Sequence, residues 1–169
     1  MNKIIVLIVL IVSPIMSNAQ SFFDSLEDLN GVDMVVVTKD AFELISKFKN
    51  LKIDDNEGMK VFQMIQDLKE FKMFSTNDSE VANKMEGLVN TSIKKENLTQ
   101  LMRIKEDDSR VKIYVKTSKS KDYVSEVLMF IKGFSKKTNK ASEAVIVSLT
   151  GTIDINKIST LADTFVQNK

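Results

Sequence analysis

Carboxylates, lysines, tyrosines and hydroxyls are the side chains of this 169-residue chain that could do chemistry, because it contains no His, Cys or Trp. The absence of His and Cys excludes thiol nucleophiles, Ser-His-Asp catalysis, disulfides and metal sites built from His or Cys. The 24 Lys and Arg residues balance the 23 Asp and Glu residues. A nearly neutral chain lacks the basic field that attracts nucleic acid. No pair of acids at a catalytic spacing stands out, so we predict no enzyme site and no cofactor.

Two acidic clusters are candidates for binding a divalent cation. Residues 54–58 read Asp-Asp-Asn-Glu-Gly, and their oxygens are of the kind that Ca²⁺ prefers. An EF-hand loop counted from Asp54 would need Gly and an acid where this chain has Met59 and Ile65. Residues 106–108, Glu-Asp-Asp, are typical of the polar turn of a hairpin. We interpret both clusters as solvated loops and predict no metal.

Lysines concentrate in residues 110–140 and could form a surface for a charged partner. In residues 111–116 they alternate with apolar residues, as in a strand with one buried face and one wet face. A row of lysines also protects a strand against edge-to-edge pairing, so both interpretations stay open. The lysines are Lys112, Lys116, Lys119, Lys121, Lys132, Lys136, Lys137 and Lys140.

Two short motifs have a functional and a structural interpretation. Asp24-Ser25-Leu26 resembles an acceptor pattern for O-glycosylation of exported proteins, which makes Ser25 a candidate, but it also suits the first turn of a helix. Gly151 between two threonines could form an anion nest. Because Asp154 would repel an anion, we predict that Gly151 makes a strand-to-helix turn at positive φ and that Asp154 caps the next helix.

The first residues have the three parts of a secretory signal peptide. Lys3 supplies a charge, residues 4–12 are apolar, and Ser17-Asn18-Ala19 places small residues at a cleavage site. The apolar run is shorter than the roughly 20 residues of a transmembrane helix, and no Cys follows for lipid attachment. We expect cleavage after Ala19, one domain over residues 20–169, and a periplasmic or secreted protein with no membrane span.

The clearest helix start lies in residues 75–80, which read Ser-Thr-Asn-Asp-Ser-Glu. Asn77 as the N-cap residue and Glu80 three residues later would satisfy two backbone amides reciprocally. The helix that follows has apolar residues at positions 81, 85, 88 and 89.

Apolar periodicity predicts the remaining elements. Further helices are expected over residues 41–48, 59–65 and 155–165, and residues 22–29 are expected to form a short helix or a folded-back arm. Strands are expected over residues 34–37, 68–74, 98–104, 111–116, 123–131 and 144–149. Residues 123–131 also fit a helix in part, whereas residues 144–149 are apolar on both faces and predict an interior strand. The expected fold class is α+β, with an antiparallel or mixed sheet, helices packed on one face, and a ferredoxin-like topology as the first candidate.

Several segments resemble the domain-of-unknown-function family 4252 of exported Bacteroidetes proteins. The most specific is the Ser-Leu-Thr-Gly-Thr-Ile-Asp sequence of residues 148–154, and the resemblance covers nearly all of residues 20–169. It implies an envelope location and brings no established activity. Many members look like lipoproteins with an N-terminal Cys, from which this chain departs. The other segments are residues 31–42, 68–75, 98–104, 111–115 and 145–147.

Two functions from different classes remain open. One is a non-enzymatic envelope module that binds a protein or peptide partner, in signalling or regulation, through the open face or edge of its sheet. The other is a carrier of a small apolar ligand or lipid, which the 10 Phe and 9 Met residues favour. A structure separates them, because a carrier needs a cavity between the sheet and its helices.

Overall fold

The computed structural model of the chain describes residues 21–47, 68–106, 109–118, 122–133, 142–156 and 158. This part of the chain contains the helices α1 (Phe22–Glu27), α2 (Lys39–Lys47) and α3 (Ser79–Lys95). Its strands are β1 (Asp33–Thr38), β2 (Leu68–Thr76), β3 (Thr99–Glu106), β4 (Ser109–Thr117), β5 (Tyr123–Lys132) and β6 (Ala144–Asp154). The signal-peptide residues, the acidic cluster at 54–58 and the predicted helix at 59–65 lie outside the described residues.

The six strands form one antiparallel sheet in the order β1-β2-β6-β5-β4-β3. The predicted interior strand is confirmed, because β6 lies between β2 and β5. Residues 123–131, for which a helix was the alternative, are strand β5. The α+β class is confirmed. A ferredoxin-like topology is not, since this sheet is larger than the β-α-β-β-α-β arrangement.

Helices cover both faces of the sheet, so the predicted packing on one face is wrong. On the face that we call the α3 face, Leu26 of α1 and Met85 of α3 pack against Phe74 and Phe130 of the strands. On the opposite face, the α2 face, Phe42 of α2 packs in the second apolar core. Strands β5 and β6 explain this arrangement: they carry apolar side chains on both faces, and each apolar face must be covered.

Gly151 lies inside β6 and not at a strand-to-helix turn, which corrects the prediction. The pairing register shifts beside it, between Leu68 and Glu70 in β2 and between Val124 and Glu126 in β5. Gly151 has a φ of 150°, a backbone conformation that residues with a Cβ rarely adopt. A β-bulge uses such a glycine to bend a strand without ending it. β6 therefore continues to Asp154, which pairs with Tyr123 of β5.

The N-cap residue of α3 is Asp78, one residue after the predicted Asn77. Its Oδ1 accepts hydrogen bonds from the backbone N–H groups of Glu80 and Val81, at 2.7 and 3.0 Å. β2 extends to Thr76, whose hydroxyl donates to the Gly31 carbonyl oxygen and accepts from the Asp78 N–H group. This anchoring positions Asp78 at the helix start. Glu80 lies two residues after the cap, one short of the capping-box position.

We expect Asp78→Ala to lower the free energy of unfolding by about 1 kcal/mol, because two amides at the start of α3 lose their acceptor. Asn77→Ala is the matched control and should be nearly neutral, since Asn77 is exposed and Asp78 supplies the cap. Urea denaturation of both variants measures the difference. Equal losses for the two variants would contradict this assignment of the cap.

A reciprocal capping box does occur in the chain, at the start of α1. The Asp24 N–H group donates to the Ser21 hydroxyl and the Ser21 N–H group donates to the Asp24 carboxylate, both at 3.1 Å. Hydrogen bonds from the Ser21 side chain and backbone hold the pKa of Asp24 below its usual value. After α1, Gly31 turns the chain into β1 with a φ of 83°, as the Asn30-Gly31 pair predicts.

Candidate functional site

The lysines of β4 and β5 that point toward α3 form ion pairs with its glutamates. Lys112 Nζ lies 3.1 Å from Glu86 Oε1, and Lys132 Nζ lies 2.7 Å from Glu86 Oε2. At the C-terminal end of the helix, Lys116 Nζ lies 3.4 Å from Glu96 Oε2. The predicted wet face of residues 111–116 is wrong, because α3 covers it.

These lysines are poor candidates for a charged docking surface. The side chains of Lys112 and Lys132 are only 16% and 25% exposed, and both contact one carboxylate. The lysines of β4 do not protect a sheet edge either, because β4 lies between β3 and β5. Lys119, Lys121, Lys136, Lys137 and Lys140 lie outside the described residues.

Two glutamates on the α3 face have pKa values displaced in opposite directions. Hydrogen bonds from Lys132 hold the pKa of Glu86 below its usual value, against the effect of burial, and Lys112 adds to the lowering. Burial raises the pKa of Glu126, and the nearby Lys116 only partly opposes it. Glu126 is the cross-strand partner of Lys116 and Thr150. Glu86 therefore favours folding when ionised, whereas ionisation of Glu126 opposes folding.

We expect Glu126→Gln to stabilise the protein at pH 8 and to have little effect at pH 3. The folded-state pKa of Glu126 is raised, so its contribution to stability is fully present below the unfolded-state pKa and is lost as the pH rises through the folded-state value. Glu86→Gln should show the opposite pattern: its cost appears above the unfolded-state pKa and vanishes as the pH falls. Melting temperatures across this pH range test the prediction. Parallel pH profiles for the two variants would contradict it.

The edge strand β1 exposes a continuous apolar segment. Met34, Val35 and Val36 are 47%, 45% and 39% exposed, although all three lie in the middle of a strand. Met34 and Val36 are on the α3 face, opposite Phe74 and Lys72 of β2, and Val35 is on the other face. Within the described residues, β1 pairs with β2 alone, so its outer backbone groups face away from the sheet. An unpaired strand edge of this kind is a template for another strand.

The opposite edge strand, β3, carries protective features that β1 lacks. A register shift between Gln100 and Met102 bulges β3, and Arg103 and Lys105 place exposed charges along it. Bulges and charged side chains are the common means of preventing edge pairing. β1 pairs with β2 in unbroken register, and its charged residue, Asp33, is at its first position. The contrast makes β1 the candidate functional site.

Helix α2 extends the apolar surface beside β1. It begins at Lys39, directly after the strand, and its Leu44 side chain is 57% exposed. Its Phe42, in contrast, is buried in the core of the α2 face. One side of α2 thus holds the helix on the sheet, while Leu44 is open to solvent.

The residues predicted as sites lie in α1, at the start of α3 and in β6. Ser25 is in α1, where its hydroxyl donates to the Ser21 carbonyl oxygen at 3.2 Å. Asp154 ends β6, and its Oδ1 accepts from the Asn156 N–H group at 2.8 Å as a helical turn begins. Gly151 and Asp78 have the backbone roles described above. Glycosylation of Ser25 stays a prediction.

The chain matches the family model of "Domain of unknown function (DUF4252)" over residues 25–161. It belongs to this family. The resemblance expected from the sequence is therefore confirmed. Neither a curated protein nor a solved structure matches the chain.

The described part of this DUF4252 protein contains no helix that is both long and apolar enough to cross a membrane. In the same residues, no three acidic side chains come together as a metal site would require. Binding at an open face or edge of the sheet was expected from the sequence, but the Met-Val-Val-Val run of residues 34–37 was recognised only as a strand and not as that edge. No local signal distinguishes it from an interior strand, because β6 also carries no charge between Glu143 and Asp154.

Proposed function

We propose that this DUF4252 protein is an exported, non-enzymatic module that binds an extended segment of a protein by strand addition to β1. The observation that carries the proposal is the exposed apolar edge of Met34, Val35 and Val36. In strand addition, the backbone hydrogen bonds supply affinity and alternate side chains supply specificity. The bound segment would contact Met34 and Val36 on one face and Val35 on the other.

Export and a regulatory role in the envelope are parts of the same proposal. The signal-peptide pattern that ends at Ala19 supports export. A non-enzymatic role is supported by the lack of His and Cys in the sequence and by the ion pairing of Glu86 and Glu96. Carboxylates that serve as structural partners of lysines are poor candidates for general acids or bases.

The alternative function, a carrier of an apolar ligand, has less support. Between α3 and the sheet, the side chains of Leu26, Phe74, Met85 and Phe130 have no exposed surface and pack in one cluster. A ligand site there would require these side chains to separate. The exposed apolar residues Met34, Val35 and Val36 lie on the edge strand β1, where they suit a strand and not an enclosed small molecule.

Photo-crosslinking at defined edge positions tests the proposal. A benzophenone amino acid replaces Val35 in β1 or, as the matched control, Arg103 in β3, and the full-length protein is irradiated in its native host. Both positions are exposed residues of edge strands. We expect discrete protein adducts from position 35 and none from position 103. No adduct from position 35, or the same adducts from both, would overturn the proposal.

A further inference from the structure

We infer that the segment accepted by β1 is β1 of a second copy of this chain, so that two sheets join edge to edge. The inference rests on the proposed function, since it names the occupant of the same edge. The registers that symmetry allows and the charges at the two ends of the strand support it. The joined sheet would have two copies of β1 at its centre, paired antiparallel about a two-fold axis.

Symmetry restricts the registers in which β1 can pair with itself. Directly opposed side chains in an antiparallel pair point to the same side of the sheet. A two-fold axis perpendicular to the sheet keeps each side chain on the same side of the sheet. The sequence numbers of two opposed residues must therefore be equal or differ by an even number. The axis therefore passes midway between one residue and its own copy. For a strand of six residues, Asp33–Thr38, the central choices are Val35 and Val36.

Charge complementarity selects the register centred on Val36. This register places Asp33, the first residue of β1, near Lys39 of the other copy, the residue of α2 that directly follows the strand, which gives two opposite-charge contacts for each dimer. Both residues are exposed, and Lys39 also lies 3.3 Å from Glu43, an exposed partner within its own helix. The register centred on Val35 would instead place Asp33 opposite the apolar Val37. The Val36 register thus brings the charges together and places Val36 opposite its own copy and Val35 opposite Val37.

The same register covers the exposed apolar residues. Val36 contacts its own copy on the α3 face, and Val35 lies opposite Val37 on the α2 face, while Met34 lies opposite Thr38. A six-residue strand is small compared with interfaces that are stable at low concentration. We therefore expect a reversible dimer with a Kd on the order of micromolar.

Because the chain contains no Cys, a single introduced cysteine tests the register cleanly. In Val36→Cys the two thiols are opposite each other, about 5 Å apart between Cα atoms, within the range of a disulfide. In Val35→Cys, the matched control, they are diagonal neighbours at roughly 8 Å, beyond that range. Under mild oxidation at micromolar concentration, we expect covalent dimers of Val36→Cys and monomers of Val35→Cys. No dimer from Val36→Cys, or a dimer from Val35→Cys alone, would overturn the inference.

Charge reversal supplies an independent measurement without introduced thiols. By sedimentation equilibrium, Asp33→Lys and Lys39→Asp should each raise the dimer Kd by about tenfold, because two pairs per dimer become repulsive. The double variant should restore the Kd of the unmodified protein. Loss of dimer in both single variants without recovery in the double variant would contradict the register.

Failure of this inference and failure of the proposed function are distinguishable. If the purified protein stays monomeric up to high micromolar concentration while position 35 crosslinks to a different protein in the host, the self-pairing is wrong and strand addition stands. If the adduct at position 35 is a second copy of this chain, both stand. If position 35 gives no adduct and the protein stays monomeric, both are wrong.

Discussion

Gly151→Val is expected to lower the free energy of unfolding by about 2–3 kcal/mol. Gly151 has a φ of 150° within β6, and a β-branched side chain pays backbone strain in that conformation. β6 lies between β2 and β5, so distortion at this point disturbs pairing on both sides. Urea denaturation monitored by circular dichroism measures the change.

Thr152→Ala is the matched control for the glycine. Thr152 is in the same part of β6, but its side chain is exposed. Its loss should change stability by no more than about 0.5 kcal/mol. If Gly151→Val is as stable as Thr152→Ala, the bulge in β6 does not require the positive φ at Gly151.

Phe74→Ala should have the largest effect of any single change described here, a loss of about 3–5 kcal/mol. Phe74 has no exposed surface and stacks against Phe23 of α1 with ring centroids 6.1 Å apart. Removing the ring leaves a cavity on the α3 face beneath α1 and α3. Urea denaturation measures this loss from the shift in the unfolding midpoint, provided that the slope of the unfolding free energy against urea concentration is unchanged.

Phe71→Ala provides the comparison within the same strand. Phe71 is on the α2 face and only partly buried, so its truncation should cost less than that of Phe74. A larger loss for Phe71→Ala would contradict the expectation that the fully buried Phe74 contributes more to stability.

The strands could be predicted because their apolar patterns are local. The Val-Ile-Val run of residues 145–147 and the alternation of residues 111–116 identify strands without knowledge of their neighbours. The interior position of β6 also followed, since a strand that is apolar on both sides must be covered on both sides. That argument, applied equally to β5, would have predicted helices on both faces.

What a polar residue faces could not be predicted from spacing alone. Lys112 and Lys116 alternate as on a wet strand, but Glu86 of α3 and Glu96, the C-cap residue of α3, lie over them. This pairing joins residues about 20 or more positions apart in sequence, and local patterns carry no information about it. The same reason explains why a Val-rich run did not identify β1 as an edge: strand order is a long-range property.

The cap and the bulge were missed because contacts between residues far apart in the sequence determine them. Asn77 and Asp78 are both good N-cap residues, and Thr76, through its bonds to Gly31 and Asp78, determines which one is used. Positive φ at Gly151 was expected, but a glycine serves a bulge as well as a turn. Only the pairing of Asp154 with Tyr123 distinguishes the two.

Residue-resolved hydrogen exchange of β1 tests the open edge most directly. In dilute monomeric protein, the backbone N–H groups of β1 that point away from β2 should exchange rapidly, whereas those of the interior strand β6 stay protected. When a strand is added, the same β1 amides should become slow. If every amide of Met34–Val37 is as protected as those of β6 in the dilute monomer, the edge is already covered, and strand addition at β1 is contradicted.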